Sequence, residues 1–86
     1  MTMEIELFYS LSDPASMRTL EKVREYSKRF GIHVRETLAT IHRIRAWRRG
    51  VRMVPTLQVG GRTVWIGEIP DEILSRIFSE MSKMKW

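Results

Sequence analysis

The sequence contains no cysteine. Structural disulfides, thiolate metal sites and cysteine nucleophiles are therefore excluded for the chain itself. The two histidines, His33 and His42, have few carboxylates near them in the sequence, so we expect neither a metal site nor a cofactor. No run of about 18 apolar residues occurs, which argues against a transmembrane helix.

Amide side chains are also scarce, because the chain has no asparagine and only one glutamine, Gln58. Together with the many arginines, this bias is typical of proteins from thermophiles, in which labile amides are rare. The first residues, Met1-Thr2-Met3-Glu4, lead directly into a strand pattern and do not look like a signal peptide. We expect a single domain, residues 1–86, located in the cytoplasm and not bound to a membrane.

Acidic residues are absent between Glu36 and Glu68, whereas the same interval holds six arginines. A one-sided basic region can bind nucleic acid or another polyanion. The side chains that would carry such binding are His42, Arg45, Arg48, Arg49 and Arg52, with Trp47 available to stack on a base. The alternative is that these arginines only form the solvated face of a helix.

The hydrophobic pattern predicts the element order β-α-β-α-β-β-α. The predicted strands cover residues 4–10, 32–37, 56–59 and 63–66, and the predicted helices cover 14–30, 39–49 and the stretch from 70 onward. Asp13 followed by Pro14 is a strong start for the first helix, and Gly31 ends it. The early β-α-β unit requires parallel strands, so we predict an α/β fold with a four-stranded mixed sheet covered by three helices.

Each predicted helix has apolar residues at helical spacing. The apolar residues are Met17, Leu20, Val23 and Phe30 in the first helix, Ile41, Ile44 and Trp47 in the second, and Ile73, Leu74, Ile77, Phe78 and Met81 in the third. Trp47, Trp65 and Trp86 are in addition candidates for contact with a partner, although Trp65 lies in a strand and is expected to be partly buried.

The segment Gly50-Val51-Arg52-Met53-Val54-Pro55-Thr56-Leu57 places a proline at the start of a strand pattern. Proline has no backbone N–H and is excluded from the interior of a central strand. The pattern therefore predicts a turn that leads into the strand, and a cis Val54–Pro55 bond is compatible with it. Further along, Gly60-Gly61 supplies the turn of a hairpin.

This order of elements resembles the thioredoxin/glutaredoxin superfamily over nearly the whole chain. Residues 50–57 are similar to its cis-proline loop, and residues 59–67 are similar to the hairpin that follows, including its final glycine. The compact size is similar to that of short archaeal thioredoxins and glutaredoxin-like proteins. The resemblance implies a thioredoxin-like fold.

Active members of the superfamily open their first helix with Cys-Pro-x-Cys, and the matching stretch here is Asp13-Pro14-Ala15-Ser16. The proline is kept while both cysteines are replaced, and the place of the buried acid of thioredoxins is taken by Leu7. Dithiol–disulfide exchange is therefore not expected, although the fold is. Ser16 as a nucleophile would need a base and an oxyanion hole, for which the sequence offers no context.

In the superfamily the residue before the proline pairs its backbone with an extended substrate peptide, which requires no cysteine. The resemblance therefore implies a non-redox module that binds an unidentified protein or peptide. Its vestigial active-site cleft would be formed by Asp13, Pro14, Ala15, Ser16, Met53, Val54, Pro55 and Thr56. Two alternatives stay open: polyanion binding through the second helix, and a thiol–disulfide oxidoreductase relative in which Ser12 or Ser16 replaces a cysteine. Glutathione binding ranks last, because Gly67-Glu68 departs from the usual pattern.

Overall fold

The computed structural model describes residues 4–84, and its elements follow the predicted order. They are β1 (Ile5–Tyr9), α1 (Pro14–Phe30), β2 (Val34–Leu38), α2 (Arg43–Arg48), β3 (Thr56–Val59), β4 (Arg62–Ile66) and α3 (Asp71–Lys83). The second helix begins later than predicted, because the N–H groups of Ile41 and His42 both donate to the carbonyl of Leu38 and form a turn. Trp86, a predicted candidate for contact with a partner, lies outside the described residues.

The four strands form one mixed sheet in the order β2-β1-β3-β4. β1 pairs with β2 in parallel, and the remaining neighbours are antiparallel. The parallel pair is connected by α1, as a crossover requires. The short hairpin turn between β3 and β4 contains Gly60 and Gly61, both with positive φ angles, which glycine adopts without steric cost.

Two helices, α1 and α3, pack together on one face of the sheet and enclose the main core. Alternation along β1 sends Ile5 and Leu7 into this core. The predicted stripes of α1 and α3 are confirmed, since their residues are either buried in this cluster or packed against it. The buried members are Ile5, Leu7, Leu20, Val23, Val34, Leu57, Ile69, Leu74, Phe78 and Met81.

The opposite face of the sheet carries the other residues of β1, among them Glu6 and Phe8, and is covered by α2. This second layer is rich in buried polar groups, such as Thr37 and Gln58. The side-chain amide of Gln58 donates to the carbonyl of Arg49 at 2.8 Å and ties the end of α2 to β3. The helix is therefore held on the sheet largely by polar contacts.

The predicted apolar stripe of the second helix does not face the protein interior. Ile41 and Ile44 are each 69% exposed and Trp47 is 75% exposed, while Ala46 is the buried residue of α2. The physical reason is that Arg45 must point to the sheet, where it binds Glu6. A rotation that buried Ile44 and Trp47 would separate this pair and leave the Glu6 carboxylate buried without it.

No helix within residues 4–84 is long and apolar enough to cross a membrane.

Candidate functional site

The start of α1 is closed by a mutual interaction of Asp13 and Ser16. Oδ2 of Asp13 accepts hydrogen bonds from the backbone N–H of Ser16 at 3.0 Å and from its hydroxyl at 2.8 Å. Pro14 occupies the first helical position, where its missing N–H costs no hydrogen bond. Ser16 is fully buried, so its hydroxyl supports the helix cap and is not available as a surface nucleophile.

The loop before β3 holds the second group of predicted site residues. Pro55 and Thr56 are buried, and the Thr56 hydroxyl donates to the carbonyl of Met53 at 2.6 Å. The Val54–Pro55 peptide bond is cis. Met53 is 63% exposed, and the backbone N–H and C=O of the half-buried Val54 have no hydrogen-bond partner within residues 4–84.

The pairing of β1 with β3 brings these two groups to the same edge of the sheet. Phe8 near the end of β1 lies opposite Thr56 at the start of β3, so the segments before α1 and before β3 are neighbours. The turn after β4 joins them, because the N–H of Gly67 donates to the carbonyl of Pro55 at 2.7 Å. Arg18 on α1 then binds Glu68 through two hydrogen bonds of 2.9 and 3.0 Å.

Arg18 and Glu68 form an ion pair at this edge, and each shifts the pKa of the other. The hydrogen bond from Arg18 holds the pKa of Glu68 below its ordinary value, and the same bond raises the pKa of Arg18. Both groups stay ionised near neutral pH and neutralise each other. Arg18 and Glu68 therefore add no net charge to the edge, which also presents main-chain groups and apolar surface.

An open groove of about 360 Å³ leads from this edge to α2. Its lining residues are Ala39, Arg43, Ala46, Trp47, Val51, Arg52, Met53 and Val54. The groove thus places Met53 and Val54 of the predicted peptide site beside Arg52 of the predicted polyanion site. The predicted peptide-binding surface and the predicted polyanion-binding surface are therefore neighbours along this groove.

The predicted polyanion residues differ in how free they are to bind a ligand. Arg45 donates to both carboxylate oxygens of Glu6 at 2.7 and 2.9 Å. A guanidinium nitrogen of Arg49 lies against Gly61 on the β3–β4 hairpin, 3.0 Å from the position that a Cβ would take. His42, Arg48 and Arg52 are exposed, and neither arginine has an acidic partner within the described part of the chain.

Glu6 is the residue of this region that sequence reasoning missed. Its side chain accepts hydrogen bonds from Thr37 and Arg45, and Arg35 lies 3.9 Å away. Burial raises the pKa of Glu6, but the hydrogen bonds from Arg45 and Thr37 and the charges of Arg45 and Arg35 outweigh it, so the pKa lies below its ordinary value. The sequence did contain a signal for this site, because Glu6 is an acidic residue in a strand whose other residues are apolar or aromatic.

Leu7, expected at the position of the thioredoxin acid, is a buried apolar residue of the main core. Trp65 is half-buried, and its indole N–H donates to the carbonyl of Glu68 at 3.2 Å. Within residues 4–84, histidine and acidic side chains do not form a group of three that could hold a metal ion.

Comparison with solved structures identifies the fold. The oxidised thioredoxin from Plasmodium falciparum is similar with a TM-score of 0.74 and 18% identity, over 93% of this chain and 81% of that one. The thioredoxin of Fasciola hepatica is similar with a TM-score of 0.77 and 13% identity, over the same shares of the two chains. The chain therefore has a thioredoxin-like fold, as the resemblance implied, and it has no cysteine.

No protein-family model matches the sequence, and no curated protein sequence matches it significantly.

Proposed function

We propose that this chain is a non-redox module that binds a protein or peptide in extended conformation at the edge formed by residues 13–16 and 53–56. The observation that carries the proposal is the unpaired backbone of Val54, whose N–H and C=O lack a partner within residues 4–84. An added strand satisfies such groups directly. Thiol chemistry plays no part in this mode of binding, and the chain has no cysteine to supply it.

The surroundings of Val54 support side-chain contacts as well. A main-chain hydrogen bond contributes only about 0.5–1.5 kcal/mol net, so two of them alone give weak affinity. Met53 is exposed beside Val54, and the groove towards Trp47 offers apolar surface for a side chain of the ligand. Asp13 and Ser16 bond each other, and their role in this proposal is to shape the edge.

The test uses linear peptides selected from a random library on the immobilised protein. A selected peptide should shift the backbone amide resonances of Met53, Val54 and Thr56. N-methylation of the peptide residue whose N–H reaches the Val54 carbonyl should abolish binding, while methylation of the next residue, whose N–H points away, should have little effect. A tight ligand that tolerates methylation at every position would contradict the proposal.

As a second candidate function, we propose binding of nucleic acid or another polyanion through the basic surface of α2 and the loop after it. The supporting observation is the lack of acidic partners, within residues 4–84, for four arginines of this region. They are Arg43, Arg48, Arg49 and Arg52. Arg45 is left out, because it is engaged with Glu6.

Retention on heparin and on single-stranded DNA at low salt tests this second candidate. Arg48→Glu with Arg52→Glu should lower retention strongly, since phosphate contacts depend on local positive charge. Arg76→Glu with Lys28→Glu, on α3 and α1, changes the net charge equally and should lower it far less. Equal losses in the two double variants, or no retention of the unmodified chain, would contradict polyanion binding at α2.

A further inference from the structure

The outward surface of α2 carries large apolar side chains that are not buried within residues 4–84. Ile41, Ile44 and Trp47 recur at a spacing of three residues and are each about 70% exposed. Single exposed apolar residues are ordinary, but three in a row, with Ile41 in the turn before α2 and Ile44 and Trp47 on the helix, mark an interaction surface. Met53 extends this surface across the groove that it shares with Trp47.

This orientation of α2 is fixed by its polar anchors. Arg45 binds both carboxylate oxygens of the buried Glu6, and Gln58 binds the carbonyl of Arg49. Ala46 provides the close approach to the sheet. These contacts fix the orientation of the helix on the sheet. The apolar row is therefore accessible to a partner without a prior rearrangement, which lowers the free-energy cost of binding.

The charge around the row indicates the chemistry of the partner. Arg43, Arg48 and Arg52 flank the apolar side chains, and within residues 4–84 none of them forms an ion pair with an acidic side chain. Two copies of this surface would bring like charges together, which disfavours a symmetric dimer here. A partner with carboxylates beside its own apolar side chains complements both features.

We propose that the outward surface of α2, formed by Ile41, Ile44, Trp47 and the flanking Arg43, Arg48 and Arg52, docks an amphipathic helix with acidic flanks from a partner protein. The row of side chains at helical spacing, next to an apolar groove, suits the face of a second helix. Carboxylates on both sides of that face then reach the arginines. This surface shares Trp47, Met53 and the groove between them with the strand-binding proposal, but it does not use the backbone N–H and C=O of Val54, on which that proposal rests.

The experiment uses a phage-displayed library of helix-forming peptides. Apolar positions follow helical spacing and vary among Leu, Ile, Val, Phe and Met, and the other positions vary freely among Glu, Asp, Lys and Gln. Selection on the folded chain should enrich Glu and Asp beside the apolar positions. The selected peptides should lose at least tenfold in affinity towards Ile44→Ser with Trp47→Ser.

Two further variants make the test specific. Met84→Ser removes an apolar side chain that is 53% exposed on the opposite side of the sheet, and it should leave affinity unchanged. Arg48→Glu with Arg52→Glu should reverse the selection, so that lysine replaces the acids beside the apolar positions. Circular dichroism establishes that each variant is folded, which is expected because the substituted residues are exposed.

Several outcomes would overturn the proposal. These are a library that yields no binders, enrichment of lysine on the unmodified chain, and peptides that bind the Ile44→Ser/Trp47→Ser variant equally well. Flotation with vesicles that contain phosphatidylserine provides another arm. Vesicle binding that depends on Ile44 and Trp47, in the absence of peptide binders, would identify a lipid surface as the occupant instead. Failure here leaves the N-methylation test at Val54 unaffected, since that test reports on main-chain hydrogen bonds and not on the apolar side chains.

Discussion

Asp13 and Ser16, which the resemblance in sequence matches to the two cysteines of Cys-Pro-x-Cys, bond to each other at the start of α1. The carboxylate of Asp13 accepts from the backbone N–H and from the hydroxyl of Ser16. A carboxylate at this place also meets the positive end of the helix dipole. These two polar side chains thus stabilise the start of α1.

This arrangement makes a first prediction for stability. Asp13→Ala should lower the free energy of unfolding by about 1 kcal/mol, because the start of α1 loses its N-cap and Ser16 loses its acceptor. Asp13→Ser should retain most of the stability, since serine is also a good N-cap. Urea denaturation measures both. Equal stability of Asp13→Ala and the unmodified chain would mean that the cap contributes nothing.

Thr19 on α1 differs from Ser16, because its buried hydroxyl makes no hydrogen bond within the described residues. The side chain is fully buried, and its hydroxyl has no hydrogen-bond partner within the described residues. Valine has the same shape but replaces the hydroxyl by a methyl group. Thr19→Val should therefore raise the free energy of unfolding by about 1 kcal/mol, with a rise in Tm of several degrees.

Thr19→Ser is the matched control, because it keeps the hydroxyl and removes the methyl group. It should be less stable than the unmodified chain by about 1 kcal/mol. Thermal unfolding followed by circular dichroism ranks the three proteins. A valine variant that is less stable than the threonine protein would show that the hydroxyl has a partner in solution.

At the scale of the elements, α2 shows that a polar contact can decide which side of a helix is buried. The apolar spacing of Ile41, Ile44 and Trp47 predicted an inward side, and the observed inward contacts come from Arg45 and Ala46. In this six-residue helix the pairing of Arg45 with Glu6 outweighs the burial of Ile44 and Trp47, which stay exposed. The longer α1 and α3 have several buried apolar residues each and follow their pattern.

The Glu6–Arg45 pair makes a prediction that depends on pH. The pKa of Glu6 lies below its ordinary value of 4.5, so the ionised form stabilises the fold above that pH. This contribution is lost as the pH falls through the lowered folded-state pKa. In Arg45→Met the hydrogen bond and charge of Arg45 are gone and burial is less opposed, which raises the pKa of Glu6.

We expect Arg45→Met to lower the free energy of unfolding by about 3 kcal/mol at pH 7, because it leaves a buried carboxylate without its main partner. Most of this difference should disappear at pH 3, where Glu6 takes up a proton in the variant. Guanidinium denaturation across this pH range measures the change. Arg48→Met, at an exposed arginine of the same helix, should have a small effect at every pH. A loss for Arg45→Met that is constant with pH would contradict this assignment.

At the scale of the whole molecule, the sequence predicted the fold better than the site. Capped helices, a glycine hairpin turn and the proline before β3 are local signals, and they determined the order of elements correctly. The Glu6–Arg45 contact joins residues that are far apart in the chain, and no local pattern reports it. The lack of hydrogen-bond partners for the Val54 backbone within residues 4–84 is likewise visible only once the neighbouring strands are in place.

The thioredoxin-like fold also allows dithiol chemistry to be tested by introducing two cysteines at the start of α1. The Ser16 hydroxyl and Oδ2 of Asp13 are 2.8 Å apart, so the ends of the two side chains already meet at the start of α1. In Asp13→Cys with Ser16→Cys, two thiols would occupy these neighbouring positions. The helix N-terminus would favour the thiolate of the first, as it does in other helix-terminal cysteines.

We expect the double variant to form an intramolecular disulfide under mild oxidation, measured by mass spectrometry and thiol titration. It should then catalyse insulin reduction by dithiothreitol above background, because a disulfide that opens and closes is the chemistry this position supports. The unmodified chain should give no rate above background, and each single cysteine variant should give none either. A double variant that keeps both thiols reduced would show that the backbone at residues 13–16 has departed from a geometry that closes a disulfide. In that case the backbone of residues 13–16, and not only the absence of thiols, would prevent dithiol–disulfide exchange.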